Sequence, residues 1–485
     1  MTTPSLPATA IAQQPRRWAG LAVIAGAQLM TAIDAFIVNI ALPDAAYDLN
    51  IGVGNIQWVI TAYTVTFGGL LLLGGRIADF AGRKRVFMIG LIGFALASAL
   101  GGIAQEQYTL FIARGLQGVF AALLAPAALA LITVTFTEPR ERAKAFGVYG
   151  AVSGGGAAVG LILGGILTEY TSWRWTLLIN TPLALVLALG AVMVVRESRV
   201  VAEKRYDVTG AILITLSLFA LVFGLSQAAE IGWGSPVTLG LIVVGLIFMI
   251  AFVLVEARVE YPLLPLRVFM HRDRGASFAT AFLTGSALLV IFLFLTFYFQ
   301  QTLMFSPLQA GFAFLPFSIG LIVSAAVCSV VLPRVGPKIP MIVGLVMSIV
   351  GVYLLTFIGV DTSWWSHVLP AELLISFGFG QIFVPLASTA LTGIRHEDAG
   401  VASALVNTAQ QVGASVGTAL LTTIASAVAA TFIAAHGPQA AAAGAVAGYH
   451  AAFYWALGGL VLALILVAAV MRSGRGFSAS PASMS

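Results

Sequence analysis

Charge is what this sequence has least of. Only 9% of its 485 residues are Asp, Glu, Lys or Arg, against about 25% in an average soluble domain. With 60% hydrophobic residues, too little polar sequence is left to cover a soluble core of this size. A soluble enzyme, a disordered chain and a nucleic-acid binder are therefore excluded, and the chain reads as a polytopic membrane protein. Cysteine is nearly absent. Cys328 stands alone inside an apolar run, so no intramolecular disulfide can form. The five His residues lie in or near loops, without metal-ligand spacing. No Gly-x-x-x-x-Gly-Lys-Ser/Thr sequence is present, so no phosphate-binding loop for ATP is visible. Neither a metal nor any other cofactor is expected, and none of the chemistry of an enzyme is.

What is present is a succession of long apolar runs. Seven lie near 19–42, 55–75, 86–105, 108–133, 144–168, 175–196 and 208–228. Seven more lie near 236–257, 275–299, 307–332, 338–359, 367–393, 399–432 and 449–471. Fourteen spans of roughly 22 residues would use about 308 residues, leaving about 177 for tails and short connections. No large soluble domain fits in such loops. The run at 399–432 exceeds one span and is expected to include an interfacial turn. The runs are continuous, whereas barrel strands alternate in period two, so the expected fold is all-α.

Basic residues set the orientation. Arg16 and Arg17 precede the first run. The even-numbered connections hold Arg76, Arg83, Lys84 and Arg85; Arg140, Arg142 and Lys144; Arg196, Arg199, Lys204 and Arg205. Further on come Arg258, Arg267, Arg272 and Arg274; Arg334 and Lys338; Arg395; and, in the tail, Arg472 and Arg475. That places 22 of 24 basic residues on one side, with only Arg114 and Arg174 elsewhere. Both termini are expected in the cytoplasm. The net charge of +5 is a topology signal and does not point to nucleic acid.

The chain also repeats itself. Gly118 and Pro126 in the fourth run correspond to Gly380 and Pro385 in the twelfth, although their internal spacing differs. A charged loop follows each, then a glycine ladder: Gly156 and Gly160, or Gly413 and Gly417. The second and tenth runs both end in basic, glycine-bearing loops. The expected organisation is a tail at 1–18, a six-helix bundle over 19–196, two inserted helices over 208–257, a second bundle over 275–471 and a tail at 472–485. Parallel repeats of this kind mark secondary transporters with a site near the membrane midplane; chance likeness between glycine-rich helices is the alternative.

Most acids fall in loops, but Asp34 lies eight residues before the expected end of the first span, about 12 Å deep. Arg114 lies about 9 Å inside the fourth span, measured from the same side. Each alone would cost several kcal/mol unless paired, hydrated or protonated. Together they can face one cavity and act as a proton site, or form an ion pair that only fixes packing. Gln117, one turn from Arg114, can orient the guanidinium, touch substrate or make a plain interhelical hydrogen bond. Glu372 near the outer end of the twelfth span is either a second cavity acid or an interfacial residue. Tyr63, Phe292, Tyr298, Gln300 and Gln301 are candidate cavity residues, with packing or lipid contact as the alternative for each aromatic.

These residues carry a family pattern. The chain resembles the major facilitator superfamily in its fourteen-span drug–proton antiporter branch, the EmrB/QacA type, over nearly its whole length. Gly75-Arg76-Ile77-Ala78-Asp79-Phe80-Ala81-Gly82-Arg83-Lys84-Arg85 is similar to the superfamily's loop 2–3 signature. The resemblance implies that Gly75, Asp79, Gly82 and Arg83 gate conformational change. Ile33 through Pro43 resembles the branch's first-span signature, with Phe36 at its usual Thr. Arg114-Gly115-Leu116-Gln117-Gly118 is similar to the fourth-span motif, whose arginine is implicated in proton transfer. Trp173-Arg174-Trp175 with Asn180 and Pro182 resembles the connection between spans five and six. Gly147, Gly156, Gly160, Gly164 and Gly165 match the antiporter motif in spacing, with Leu161 at the family's proline.

The resemblance implies a proton-driven exporter of small amphipathic or hydrophobic compounds working by alternating access in the plasma membrane. A proton-coupled symporter and a dedicated exporter of one metabolite or antibiotic are the alternatives. The expected partners are the bilayer, protons and the cargo. A monomer is expected, with a periplasmic adaptor left open. A channel would need a polar filter or a ring of like charge, and a receptor a signalling domain; neither is visible.

Overall fold

A computed structural model describes residues 14–52, 55–198, 207–259, 262, 264, 271–391 and 399–472. Expectations resting on the outermost tails (Arg475 included), on Arg199, Lys204, Arg205 and Arg267, and on the Arg395 loop lie outside these residues, as do the side chains of Arg16, Asp79 and Arg140. The described residues form helices, turns and connections and contain no strand. In chain order the first helices are α1 (Gln14–Asp48), α2 (Trp58–Ala81), α3 (Arg83–Gly102), α4 (Gln107–Thr135) and α5 (Pro139–Tyr170). A short helix, Trp175–Leu178, leads into α6 (Asn180–Val194), followed by α7 (Val208–Ile231) and α8 (Pro236–Glu256). The remainder comprises α9 (Arg272–Phe297), α10 (Leu315–Val335), α11 (Lys338–Leu355), α12 (Leu369–Leu391), α13 (Ala399–His436) and α14 (Ala441–Val470).

Among the described residues, 13 helical stretches are long and apolar enough to cross a membrane, and α2 holds a shorter apolar stretch at Trp58–Leu71. Their outer faces are apolar. On α8, Val237, Leu239, Val243, Ile247 and Ile250 are all exposed. Contiguous exposed apolar surface of this extent is stable in hydrocarbon and not in water. The protein is an integral membrane protein.

By packing, the chain divides into two compact units. One holds Met1–Gly224, Leu239–Leu263 and Met304–Phe312; the other holds Leu225–Thr238, Leu264–Leu303 and Ala313–Ser485. Most of α7 and α8 thus goes with the first unit. In that unit α1 packs on α5 and α6, α2 on α4, and α3 on α4 and α6. In the second, α9 packs on α13 and α14, α10 on α12, and α11 on α12 and α14. The same neighbours recur in the same order.

Details recur too. Gly82 (φ 106°) separates α2 from α3, and Gly336 (φ 75°) separates α10 from α11. Positive φ at both corners favours glycine, which has no Cβ to clash. Just beyond each corner a lysine reaches a closing helix end. Lys84 Nζ donates to the Val192 carbonyl at 3.0 Å, and Lys338 Nζ donates to the Ala468 carbonyl at 2.8 Å. Cations are favoured there by the partial negative charge of the C-terminal carbonyls. These two loop lysines therefore tie helices together in each unit.

Several boundaries differ from the sequence expectation: α2 runs on to Ala81, α5 begins at Pro139 and α14 at Ala441, and two further differences have a visible cause. Helix α1 continues past residue 42 to Asp48. The Trp173 indole donates to the Asp48 carboxylate at 3.0 Å and the Arg174 guanidinium pairs with it, anchoring the last turn. Pro43 inside the helix removes one donor without ending it. The long run at 399–432 contains no interfacial turn: α13 is one helix of 38 residues. Its Gly413 and Gly417 sit against Phe282 and Ser286 of α9, so close packing offsets the helix propensity that glycine lacks.

Candidate functional site

Polar groups in an apolar helix must find partners, because no water replaces them. In the first unit they find one another. Asp34 on α1 is fully buried, and Arg114 on α4 is 2% exposed. Arg114 Nη1 donates to Asp34 Oδ2 at 2.7 Å. It also donates to Gln117 Oε1 at 2.8 Å, while Arg114 Nε donates to the Val59 carbonyl of α2 at 2.9 Å. Gln117 Nε2 turns back to Asp34 Oδ1 at 2.9 Å. Asn180 Nδ2, at the start of α6, donates to the same Oδ1 at 2.8 Å. Ser98 Oγ on α3 accepts from Gln117 at 2.9 Å and from Asn180 at 3.1 Å, and donates to the Leu177 carbonyl at 2.8 Å.

Side chains or backbone from α1, α2, α3, α4 and α6 therefore close on one carboxylate. Both Asp34 oxygens accept charge-assisted or amide hydrogen bonds, so neither is left without a donor in this dry interior. The Arg114 guanidinium also lies over the Tyr63 ring, 4.7 Å from its centroid, a geometry in which the ring face attracts the cation. On the outer side an apolar layer of Val38, Leu42, Val59, Leu110, Trp173 and Leu177 adjoins the group, all of it buried.

Helix α5 sets where Asp34 sits. A Cβ at Gly156 would fall 2.5 Å from the Ala32 Cβ. One at Gly160 would fall 2.8 Å from the Ile33 carbonyl, and one at Gly164 2.9 Å from the Ile37 carbonyl. These three glycines let α5 lie directly on the backbone that flanks Asp34. Gly165 meets Pro307 and Leu308, and Gly311 meets the Leu161 carbonyl. Glu169, at the end of α5, accepts from the Ser306 hydroxyl at 2.6 Å and the Leu308 amide at 3.0 Å. Gly147 has nothing within 4 Å of its missing Cβ.

The other candidates are placed as follows. Gly75 makes only ordinary contact with Pro126. Gly82 forms the corner already described, and the Arg83 amide donates to the Ser198 carbonyl at 3.0 Å. Glu197 receives the next two amides, of Lys84 and Arg85, at 3.1 Å each, a carboxylate at the positive end of α3. The Asp79 side chain lies outside the described residues. Tyr63 joins the Asp34 group through Arg114. In the second unit Phe292 stacks on Phe314 at 5.0 Å and meets Phe317 edge-on at 4.8 Å. Tyr298 is fully buried and donates to the Gly359 carbonyl at 2.8 Å. Gln300 and Gln301 follow in the π-helical turn Tyr298–Thr302, half-buried and exposed respectively. Glu372 lies in α12 of the second unit and is fully buried. Among the described residues no cluster of three or more His, Cys, Asp or Glu is arranged to hold a metal.

Asn180 and Ser98 carry roles that the sequence did not assign. Asn180 was visible as an amide inside an apolar span. Ser98 had no signal, since a single serine in a helix ordinarily bonds its own backbone.

Comparison with known proteins adds the following. The family model described as Major Facilitator Superfamily matches residues 24–418. The chain is 49% identical over 457 residues to puromycin resistance protein pur8 of Streptomyces alboniger, covering 93% of this chain and 91% of that one. It is 37% identical over 402 residues to cephamycin export protein CmcT of Amycolatopsis lactamdurans, covering 82% and 83%. A solved bacterial homologue of the human lysosomal transporter Spinster, inward-facing and unoccupied, superposes with a TM-score of 0.68 over 93% of this chain and 96% of that one. At 14% identity that likeness speaks to the fold.

Proposed function

The chain belongs to the Major Facilitator Superfamily, and from that premise we propose that it is a proton-driven exporter of small amphipathic or hydrophobic compounds of the antibiotic kind. Relatives named for resistance to puromycin and export of cephamycin support the cargo class. The observation that carries the coupling is the buried Asp34–Arg114 pair at 2.7 Å. A carboxylate buried this deeply is costly, and in a membrane span such groups mark ion or proton pathways. In this conformation both of its oxygens are met by donors. Loss of any of them on opening would favour the acid, so proton uptake and conformation are linked.

The reading extends to the fourteen-span branch, with both termini in the cytoplasm of a cell bounded by the plasma (inner) membrane. The working unit is a monomer, and the energy source is the proton gradient. Puromycin is the first cargo to test. Proteoliposomes holding the full chain should move it against its gradient when a pH difference is imposed, and a protonophore should stop them. Movement in the same direction as the proton would support a symporter, the mode that Leu161 in place of the motif proline leaves open. Transport that ignores the protonophore would sink proton coupling altogether.

A further inference from the structure

One ionisable group in the second unit has none of the support that Asp34 enjoys. Glu372 is fully buried, and neither of its carboxyl oxygens has a hydrogen-bond partner. It lies eight residues into the span Trp364–Ala390, about 12 Å from the start of that span. An ionised carboxylate without a protein donor or cation in such a place costs far more than a folded protein has to spare. The neutral acid costs much less.

Among the described residues of the elements packed on α12, no base stands near enough to change that balance. Helix α12 packs on α9, α10, α11 and α13 and on the π-helical turn Trp364–Val368. The Ile375 side chain and Ala371 carbonyl meet Gly351 of α11, and Ser376 meets Gly320 of α10, which fixes the level of Glu372 on both neighbours. Arg334 ends α10, and Lys338 begins α11; each is about 20 Å along its helix from that level. Arg272, Asp273 and Arg274 open α9 at the cytoplasmic end. On the outer side, His367 bonds Ser366, His436 of α13 bonds the Phe432 carbonyl, and both histidines are exposed. Tyr353 on α11 is 49% exposed. Cys328 of α10 lies two turns inward of Gly320, by the Gln381 carbonyl.

The repeat makes the vacancy specific. Gly118 of α4 presses on Tyr63 and Thr66 of α2, and Gly380 of α12 presses on Ser324 of α10. Aligned on these glycines, the position of Arg114 is Ser376. Among the described residues, the second unit thus has an acid one turn from that position and no arginine to pair with it.

We propose that Glu372 is a second exchangeable proton site, occupied in this conformation and emptied when α12 opens to water. The proposal rests on the exporter reading and deepens it: each cargo molecule would exchange for a proton at Asp34 and another at Glu372.

Infrared difference spectra of the full chain in lipid test it, with puromycin as the probe. The expected result is a protonated-carboxyl C=O band that shifts in D2O, fades on puromycin addition, and is missing from Glu372→Gln and Glu372→Met. Glu372→Met keeps the volume apolar, so it remains informative if the glutamine variant does not fold. A band that persists in the folded variant, or that responds to neither pH nor puromycin, overturns the proposal. Proton counting with a pH dye during export should show one proton fewer per puromycin in the variant than in the parent; equal counts overturn it too. If the parent moves no puromycin but its Glu372 band still titrates with pH, the exporter reading fails and the proton site stands.

Discussion

Asp34 and Glu372 are both fully buried acids in membrane-spanning helices, and their surroundings are opposite. Asp34 takes hydrogen bonds from Arg114, Gln117 and Asn180. Glu372 takes none. The first acid is surrounded by donors, and the second has none. The contrast arises between repeats whose helices pair in the same order, so it is a property of side chains and not of the fold. A repeated fold can place two acids in similar helices and tune them apart by supplying donors to only one.

The largest effect should come from removing the charge at the first site. Asp34→Asn keeps the size of the side chain and can still accept from Arg114, so the protein should fold and insert. Puromycin export driven by a pH gradient should fall to the level of empty liposomes. Wild-type export by the folded variant would place coupling elsewhere and erase the distinction between the two acids.

Removing the partner should separate the sites by stability. Arg114→Ala leaves Asp34 buried beside two amides and without a cation. Breaking one side of a buried pair typically costs about 3–5 kcal/mol. Glu372→Met removes an acid that no hydrogen bond holds, and exchange of an unpaired polar group for an apolar one of like size is neutral or stabilising. Thermal unfolding in one detergent should therefore show a large drop for the first variant and none for the second. A matching loss at Glu372 would reveal a partner there and break the contrast.

Much of this was legible in the sequence. The apolar runs pointed to the helices, because hydrocarbon leaves so few alternatives for the backbone, and the matching glycines and prolines pointed to their repetition. Asp34, Arg114 and Gln117 stood out because charged and amide groups are rare in such runs. What could not be read was that α6 reaches the carboxylate through Asn180 and that α3 ties the two amides together through Ser98, since both residues gain meaning only from tertiary contact. Tyr63 is similar: as sequence it was one aromatic among many, and its ring proves to lie under Arg114. The end of α1 was misplaced because its anchor, Arg174, is 126 residues away from Asp48.

The glycine ladders offer a finer comparison. In the second unit a Cβ at Gly413 would fall 1.9 Å from the Phe282 carbonyl oxygen, while in the first a Cβ at Gly160 would fall 2.8 Å from that of Ile33. Both contacts are to backbone, which yields less readily than a side chain. Overpacking costs about 1–3 kcal/mol, so Gly413→Ala should be near the top of that range and Gly160→Ala near the bottom. Gly147→Ala, with open space around it, should gain up to about 1 kcal/mol from helix propensity. Melting temperatures that fail to follow this order would show that the two helix pairs relax differently from their spacing.

The smallest effect tests the network around each acid. Ser98 joins three elements: it accepts from Gln117 and Asn180 and donates to the Leu177 carbonyl. Ser98→Ala removes one donor to that buried carbonyl and withdraws an acceptor from two amides, each of which still reaches Asp34. The cost should be about 1 kcal/mol, with export retained. Ser376, one turn from Glu372, is also fully buried, but its hydroxyl donates only to the Leu373 carbonyl in its own helix at 2.9 Å. That carbonyl is an acceptor of the helix itself, so Ser376→Ala strands nothing and should be close to neutral. Equal losses at the two serines would mean that the polar group around Asp34 is no more cooperative than an ordinary helix hydroxyl. A loss confined to Ser98 would show that the donors of the first unit act together.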